Sequence, residues 1–250
     1  MLNREVLLQS LITKLKTSEE YSSLPPQDQK RLETTLIEQF QQPVLTRIFP
    51  NRTDQKVERE VTQPVENKTF QLKISLKGAK PPIWRRVLIP NTLSLHQFHL
   101  VIQAAMGWTN SHLYSFDTRH GEFEYPDEEY EFDAKRTYDS NKAILGNVLD
   151  VEHDKISYTY DFGDNWEHQI LPEKISEDQK LNFPVCLKGK RNRPLEDSGG
   201  IHHYQHVLEV LSIPGEQDEE AMFFREWFAD HNSEEFDLEG TNERLKEIRF

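Results

Sequence analysis

The hydrophobic positions of this chain change period part-way along it. Between residues 8 and 15 they follow the i, i+3, i+4, i+7 spacing of one helix face, and a second helix is predicted from Pro26 to Phe40. Residues 50–69 are polar and show no period, which predicts a linker. We therefore expect a helical extension with a linker over residues 1–66 and a main domain over residues 67–250.

From Phe70 the period becomes two, as in half-buried strands. Apolar and polar residues alternate from Phe70 to Lys77, "GAKPP" is expected to turn the chain, and "IWRRVLI" predicts a second strand. Ser94 and Gln97 then form a capping-box pattern, and Gly107 is expected to end the helix that begins there.

The remaining pattern alternates hairpins with helices. One hairpin is expected to turn near His120, and "ISYTYDFGDNWEHQI" predicts another whose first strand carries Tyr158, Tyr160 and Phe162 on one face. A helix should follow the glycine pair at 199–200, with Ser198 as its N-cap. This order predicts an α+β fold: a mostly antiparallel sheet built from hairpins, packed helices and a small N-terminal helical extension.

Composition and charge narrow the class of protein. No apolar run approaches the roughly 20 residues that cross a bilayer, no signal peptide is expected, and the single cysteine, Cys186, fits a reducing compartment. We therefore expect a soluble, cytoplasmic protein without membrane partners. The net charge of −13 argues against nonspecific nucleic-acid binding.

The charges are unevenly distributed along the acidic chain. Residues 67–110 hold six Lys or Arg and no acid, whereas residues 111–168 and 201–250 carry net charges of −10 and −9. Two interpretations stay open. The basic strands are neutralised by acidic parts of the same fold, or they form a face for an anionic partner.

Chemistry-bearing side chains concentrate first in the hairpin "YDFGDNWEHQI". Asp161, Asp164 and His168 are expected near one end of it. In one interpretation they satisfy turn amides and sheet hydrogen bonds. In the other they are metal ligands or an acid–base set, with Asp161 and His168 as the metal-ligand candidates, and Zn²⁺, Mn²⁺ or Fe²⁺ fits them better than Ca²⁺.

The stretch "RPLEDSGG" is the second concentration. Glu196 and Asp197 are adjacent carboxylates before two glycines, and we expect this junction to meet the hairpin in space. Arg85 and Arg86 should point to opposite faces of one strand. One of them is expected to pair with a carboxylate such as Asp161 or Glu196, or else to form a purely structural ion pair. No P-loop, GxGxxG or GxSxG motif is present in the sequence.

Several stretches read together resemble a known family. "LKISLKGAKPPIWRRVLIP", "LHQFHLVIQAAMGWTNSHLYSF", "YTYDFGDNWEHQI", "PVCLKGKRNRPLEDSGG" and "FDLEGTNERL" resemble the plasmid pRiA4b ORF-three-like family, which also occurs as a passenger protein of insertion sequences. The similarity runs in order from Phe70 to Leu245. It implies an α+β domain and no particular activity.

The resemblance also implies which positions belong to the family pattern. They are Trp84, Arg85, Arg86, Trp108, His112, Asp161, Phe162, Gly163, Asp164, Trp166, His168, Cys186, Pro194, Glu196, Asp197, Gly199, Gly200 and Tyr204. Many members carry extra cysteines at the places of Arg193 and Ser198, and their absence here argues against a thiolate metal site.

Three functions remain as hypotheses. The first is a soluble binding or interaction module, linked by resemblance to plasmids and mobile elements, whose partner is an unknown protein or small molecule. The second is a hydrolase using a divalent metal ion, which is the one candidate cofactor. The third is nucleic-acid binding through residues 68–86, which the net charge disfavours. The candidate polar cluster is His112, Asp161, Asp164, His168, Glu196 and Asp197, supported by Arg85, Arg86, Trp166, Gly199, Gly200 and Tyr204.

Overall fold

The computed structural model describes residues 16, 21, 25, 29, 30, 52–126, 137–149, 154–177, 181–213 and 218–248. The helices predicted before residue 41 lie almost entirely outside the described residues. Two compact units are distinguished, Met1–Gln55 and Lys56–Phe250, and apart from the first four residues of the helix Arg52–Val61 everything below concerns the second. The described helices are α1 Arg52–Val61, α2 Leu95–Met106, α3 Leu145–Val148, α4 Gly200–Ser212, α5 Glu219–Trp227 and α6 Leu238–Lys246.

Eight described strands form one sheet. They are β1 Thr69–Leu76, β2 Trp84–Pro90, β3 Tyr114–Thr118, β4 Gly121–Glu124, β5 Thr137–Asp139, β6 Ile156–Tyr160, β7 Trp166–Ser176 and β8 Val185–Lys190. Their order in the sheet is β5-β4-β3-β6-β7-β1-β2-β8. All neighbouring pairs are antiparallel except β4 and β5, which are parallel. The predicted α+β fold with a mostly antiparallel sheet is therefore confirmed.

The buried face of the sheet follows from the period of two. In β1 every second residue from Phe70 to Leu76 is buried, as the alternation predicts. Ile74 lies opposite Ile170 on one side and Arg85 on the other, so an arginine occupies a position in the middle of an aliphatic row. On the neighbouring strands, Tyr158 of β6 lies opposite His168 of β7.

Helix α2 covers this buried face and is capped as the sequence predicts. Ser94 accepts a hydrogen bond from the N–H of Gln97, and the Gln97 side chain accepts one from the N–H of Ser94. Gly107 ends the helix with a left-handed φ of 92°. The ring of Phe98 stacks on Phe116 of β3 with centroids 5.7 Å apart, which fixes the helix over the sheet.

The predicted linker is wrong in its central part, because residues 52–61 form helix α1. Val61 at its end is only 2 % exposed, and its carbonyl accepts hydrogen bonds from the N–H of Ile144 and the side-chain amide of Asn147. Val57 also packs on the core. Two valines four residues apart are the whole apolar signal of this helix, and the charged residues around them conceal it.

Two local predictions are also wrong. Phe162 lies outside β6 and is 49 % exposed, because Asp161 adopts a left-handed φ of 57° and ends the strand before it. The N-cap of α4 is Gly199, with no side-chain cap, and Ser198 instead donates its hydroxyl to the carbonyl of Leu195.

Basic side chains on and next to β1 and β2 form ion pairs with glutamates on or just after β7. Lys77 pairs with Glu167 at 2.6 Å, and Lys68 pairs with Glu177 at 3.1 Å. Arg86 makes two hydrogen bonds to Glu173 on the outward side of the sheet. These contacts neutralise much of the positive stretch within the fold. No described helix is long and apolar enough to span a membrane.

Candidate functional site

Three loops meet at one end of the sheet: residues 107–113 after α2, the turn at 161–165, and residues 191–199 before α4. The carboxylate of Asp164 accepts a 2.9 Å hydrogen bond from the N–H of Gly199. Trp108 donates its indole N–H to the carbonyl of Pro194 at 3.2 Å, which joins the loop after α2 to the loop before α4. The hairpin and the double-glycine junction therefore lie together, as expected from the sequence.

These loops are rich in left-handed backbone conformations. Asn110, Asp161, Asn165 and Asp197 have φ angles of 57°, 57°, 55° and 55°. Asn and Asp tolerate this region better than other non-glycine residues, but each such residue still costs on the order of 1 kcal/mol. Backbone strain of this kind is concentrated at functional sites in proteins, because the surrounding structure must be built to hold it.

His112 and two aspartates form the densest group of potential ligands at this junction. Nε2 of His112 lies 3.0 Å from Oδ1 of Asp197 and 3.7 Å from Oδ2 of Asp161. One ligand atom from each residue can be chosen so that all three lie within 4.8 Å of one another. Nε2 is buried from solvent. Although it lies close to Asp197, the geometry is not that of a hydrogen bond, so Nε2 has no hydrogen-bond partner among the described residues. An imidazole nitrogen between two carboxylates is a donor set suited to a divalent cation.

Asp161 is held in this position by its own turn. Its Oδ1 accepts hydrogen bonds from the N–H groups of Gly163 at 2.9 Å and Asp164 at 3.3 Å. The other oxygen, Oδ2, is the one that faces His112. The carboxyl group is nearly buried, with a side chain 10 % exposed, so its orientation is fixed before any ligand arrives.

Glu196 lies beside the group and fastens the first loop. Its Oε1 accepts hydrogen bonds from the N–H and hydroxyl of Thr109, at 2.8 and 3.0 Å, and the Tyr160 hydroxyl lies 3.3 Å from Oε2. Burial first, and then the charge of Glu196, raise the pKa of Tyr160 to about 12, so this hydroxyl stays protonated. The hydroxyl oxygen of Tyr160 accepts a hydrogen bond from the N–H of Ser111, the residue before His112. Glu196 thus links the loop after α2 to Tyr160 of β6.

A buried network under the first loop was not identified from the sequence. His99 contacts the hydroxyl of Tyr158 through Nδ1 at 2.8 Å and Oδ1 of Asn110 through Nε2 at 2.6 Å. Gln103 donates to the same Tyr158 hydroxyl and accepts the N–H of Asn110. Desolvation lowers the pKa of His99 to about 3, so the ring is neutral, with Nε2–H donating to Asn110. The sequence pattern predicts that His99 and Gln103 lie on a helix but not what they contact, because their partner Tyr158 is more than 50 residues away.

The proposed pairing of Asp161 with His168 as metal ligands is not what the structure presents. His168 is fully buried in the sheet and is not in the group around His112. Its Nδ1 donates to the carbonyl of Trp166 at 2.9 Å, and burial lowers its pKa to about 4. Asp164 also turns away from the group, since Gly199 uses its carboxylate. His112, Asp161 and Asp197 are brought together from the predicted cluster.

The supporting residues serve the fold around this site. Arg86 forms the structural ion pair with Glu173, and Arg85 points to the opposite, buried face, as expected. Trp166 and Tyr204 are in the core, and the indole N–H and the hydroxyl have no hydrogen-bond partner among the described residues. Burial raises the pKa of Tyr204 to about 12.

Taken together, the fold and the site define an α+β protein with a polar junction formed by three loops at one end of an antiparallel sheet. The family model described as "Plasmid pRiA4b ORF-3-like protein" matches residues 68–242. The chain belongs to this family. The resemblance inferred from the sequence motifs is therefore confirmed.

The chain is also similar to two individual proteins. The chain is 40 % identical over 150 residues to "Uncharacterized protein y4hQ" of Sinorhizobium fredii, covering 59 % of this chain and 75 % of that protein. It is similar in structure to the protein of unknown function MM3350 from Methanosarcina mazei Go1, with a TM-score of 0.62 and 32 % identity over 70 % of this chain and 97 % of that one.

Proposed function

We propose that this protein binds one divalent transition-metal ion through His112, Asp161 and Asp197 and uses it in a hydrolytic reaction. The observation that carries the proposal is the convergence of one imidazole nitrogen and two carboxylate oxygens within 4.8 Å. They come from three separate loops, two of which place their ligand residue in a left-handed backbone conformation. Such an arrangement requires long-range contacts that ordinary surface charges do not need.

The donor set favours Zn²⁺, Mn²⁺ or Fe²⁺. Ca²⁺ takes six to eight oxygen ligands, whereas this group offers a nitrogen and two carboxylates. A thiolate site is not supported by Cys186, because its thiol is buried on β8, contacts the carbonyl of Lys188 and has a pKa raised by burial.

Three protein ligands leave coordination positions for water and substrate. This number of ligands is typical of catalytic sites, in which the metal lowers the pKa of bound water and generates a nucleophile near neutral pH. Asp197 is the accessible ligand, with a side chain 74 % exposed, while the His112 and Asp161 side chains are 29 % and 10 % exposed. Substrate would therefore approach from the Asp197 side.

Metal binding to protein without a histidine tag tests the proposal. After treatment with a chelator, the protein is titrated with Mn²⁺ and Zn²⁺ by calorimetry, and we expect one ion per chain. Asp161→Asn and His112→Gln should each reduce affinity by tenfold or more. Asp117→Asn on β3 removes the same charge at an exposed position and should leave it unchanged. Equal binding by all variants, or no binding by the native chain, would contradict the proposal.

Hydrolysis is measured separately with bis(p-nitrophenyl) phosphate and p-nitrophenyl acetate. Activity that appears with Mn²⁺ or Zn²⁺ and is lost in Asp161→Asn supports the catalytic part of the proposal. Stoichiometric metal binding with no turnover of either compound would limit the function to metal binding.

A second proposed function is that of an interaction module, which is supported by an exposed apolar surface on α5. Met222 and Phe223 on α5 are 60 % and 58 % exposed, and Phe223 packs beside Trp227 with ring centroids 5.7 Å apart. Adjacent exposed apolar side chains of this size favour a contact with another protein. Sedimentation of the native chain and of Phe223→Asp tests self-association through this surface, and identical monomeric behaviour of both would exclude it.

A further inference from the structure

A cavity of about 230 Å³ lies at the C-terminal end of α2, outside the metal-ligand group. Three arginines line it, together with residues from the end of α2, the loop before α4, the segment before α6 and α6 itself. The arginines are Arg85, Arg193 and Arg244, and Gly107, Glu235 and Asp237 also line the cavity. Three guanidinium groups around one small cavity repel one another, so their arrangement requires an explanation.

Arg85 is the most unusual of the three, because it is only 1 % exposed. Its Nε donates to the carbonyl of Ala105 at 3.0 Å, and its Nη1 donates to the carbonyls of Trp84 and Lys190 at 2.9 and 3.2 Å. Its guanidinium lies 4.3 Å from the ring centre of Phe236. It forms no ion pair with any carboxylate of the described residues, although a buried cation without a counterion is expensive.

The other two arginines also lack a carboxylate partner within the described part of the chain. Arg244 donates to the carbonyl of Ala104 and the hydroxyl of Thr241, both at 3.0 Å. The Nε of Arg193 is buried without a hydrogen-bond partner among the described residues. Burial, opposed by the charge of Glu196, lowers the pKa of Arg193. By contrast, Arg86 has a glutamate partner, Glu173.

The acidic residues at the cavity do not neutralise these arginines. Asp237 is the N-cap of α6, and its Oδ1 accepts the N–H of Gly240 at 2.9 Å. Neither Asp237 nor Glu235 comes within ion-pair distance of an arginine in the described residues. Glu196, whose charge reaches Arg193, is already hydrogen bonded to Thr109. The cavity therefore combines positive charge, unsatisfied donor capacity and space.

We propose that this cavity binds the oxyanion group of a ligand, a phosphate or a carboxylate, with Arg193 and Arg244 as direct donors and Arg85 as the buried positive charge beneath them. Guanidinium groups bind both anions through paired N–H donors, and such charge-assisted hydrogen bonds are about twice as strong as neutral ones. A bound anion would act as the counterion for these three arginines.

The position of this cavity connects it with the proposed metal site without depending on it. Gly107 and Arg193 line the cavity, while His112 and Asp197 lie five and four residues further along the same two loops. The Trp108–Pro194 hydrogen bond joins these loops between the two places. The same pair of loops therefore carries residues of both places.

Binding of inorganic phosphate and of acetate to metal-free protein tests the inference, measured by calorimetry at low ionic strength. We expect saturable binding of one phosphate or one acetate, and the preferred anion identifies the ligand class. Arg193→Gln and Arg244→Gln should each weaken it about tenfold or more, since a charge-assisted hydrogen bond contributes roughly 1.5–3 kcal/mol. Arg86→Gln, on the same strand as Arg85 but on its opposite face, is the matched control and should bind normally.

The Asp161→Asn variant separates this inference from the proposed function. If it loses metal affinity and still binds the anion, the two sites are independent, as proposed. Undiminished anion binding in both arginine variants would overturn the inference, and so would the absence of binding of either anion at millimolar concentration to native protein. Circular dichroism of each variant confirms that the comparison is made between folded proteins.

Discussion

The carboxylate of Asp164 accepts a 2.9 Å hydrogen bond from the main-chain N–H of Gly199, and this contact joins two loops that lie 35 residues apart in sequence. Gly199 precedes α4 and follows the segment that carries Asp197. Asp164 belongs to the turn that carries Asp161. The hydrogen bond therefore holds two of the three proposed metal ligands at a fixed separation.

Replacing Asp164 with alanine should loosen this junction. We expect Asp164→Ala to lower the free energy of unfolding by about 1–2 kcal/mol, because a charge-assisted hydrogen bond is lost at a half-buried position. Chemical denaturation measures the change. Asp117→Ala, which removes an exposed carboxylate on β3, should stay within about 0.5 kcal/mol of the native chain. Equal effects of the two substitutions would show that the Asp164 contact does not stabilise the fold.

Gly200 should tolerate no side chain. Its φ is +77°, and a Cβ built on it would stand 2.5 Å from the carbonyl oxygen of Asp164. Gly200→Ala combines a left-handed backbone, which costs roughly 1–2 kcal/mol, with a clash against rigid main chain. We expect a loss of about 2–4 kcal/mol by chemical denaturation.

Gly200→Asn separates the two causes. Asparagine adopts positive φ more readily than alanine, so this variant should recover part of the backbone cost while keeping the clash. If the asparagine variant were as stable as the native protein, the main chain at Gly200 would not lie against the carbonyl oxygen of Asp164.

The sequence predicted that these loops meet, but it indicated only some of the residues that come together there. Asp161, Asp197 and the glycine pair are visible because turn residues and adjacent carboxylates carry local signals. His112 follows no local signal and was indicated only through the family resemblance. His168 was wrongly grouped with Asp161, because strand alternation defines the face of a side chain and not whether that face is the core.

The fold was more predictable than the site. Period-two segments, the Ser94–Gln97 capping box and the glycine at the end of α2 are local features, and the structure reproduces them. Helix α1 was missed because tertiary contacts of Val61 supply what its charged sequence does not show. The short parallel strand β5 depends on its pairing with β4, which no local pattern encodes.

Glu196 should act on the metal site through the loop that it fastens. In Glu196→Ala the N–H of Thr109 and the hydroxyl of Tyr160 lose their acceptor, and the segment leading to His112 gains freedom. Substituting a group that orients a ligand typically lowers metal affinity by about 10- to 100-fold. We expect a decrease of this size for Mn²⁺ by calorimetry.

Two further variants show how Glu196 acts. Glu196→Gln keeps an acceptor oxygen and should restore most of the affinity. Glu243→Ala, an exposed position on α6, controls for the loss of one negative charge. A direct ligand role for Glu196 would instead be indicated if the glutamine variant were as weak as the alanine variant.

Acidification between pH 7.5 and 5.5 should destabilise the fold through buried neutral histidines. Burial lowers the pKa of His99 to about 3 and that of His168 to about 4, so both bind protons in the unfolded chain before they do so in the folded one. The free energy of unfolding then falls as the pH drops below the unfolded pKa of about 6.5, by about 1 kcal/mol per histidine at pH 5.5. The lowered pKa values of Glu167 and Glu173 act only further into the acid range, so this window isolates the histidines. Chemical denaturation of His168→Leu at pH 7.5 and 5.5 tests this prediction. The free energy of unfolding of this variant should fall by about 1 kcal/mol less than that of the native chain. An equal decrease in both proteins would mean that His168 is protonated in the folded protein or that it is not buried.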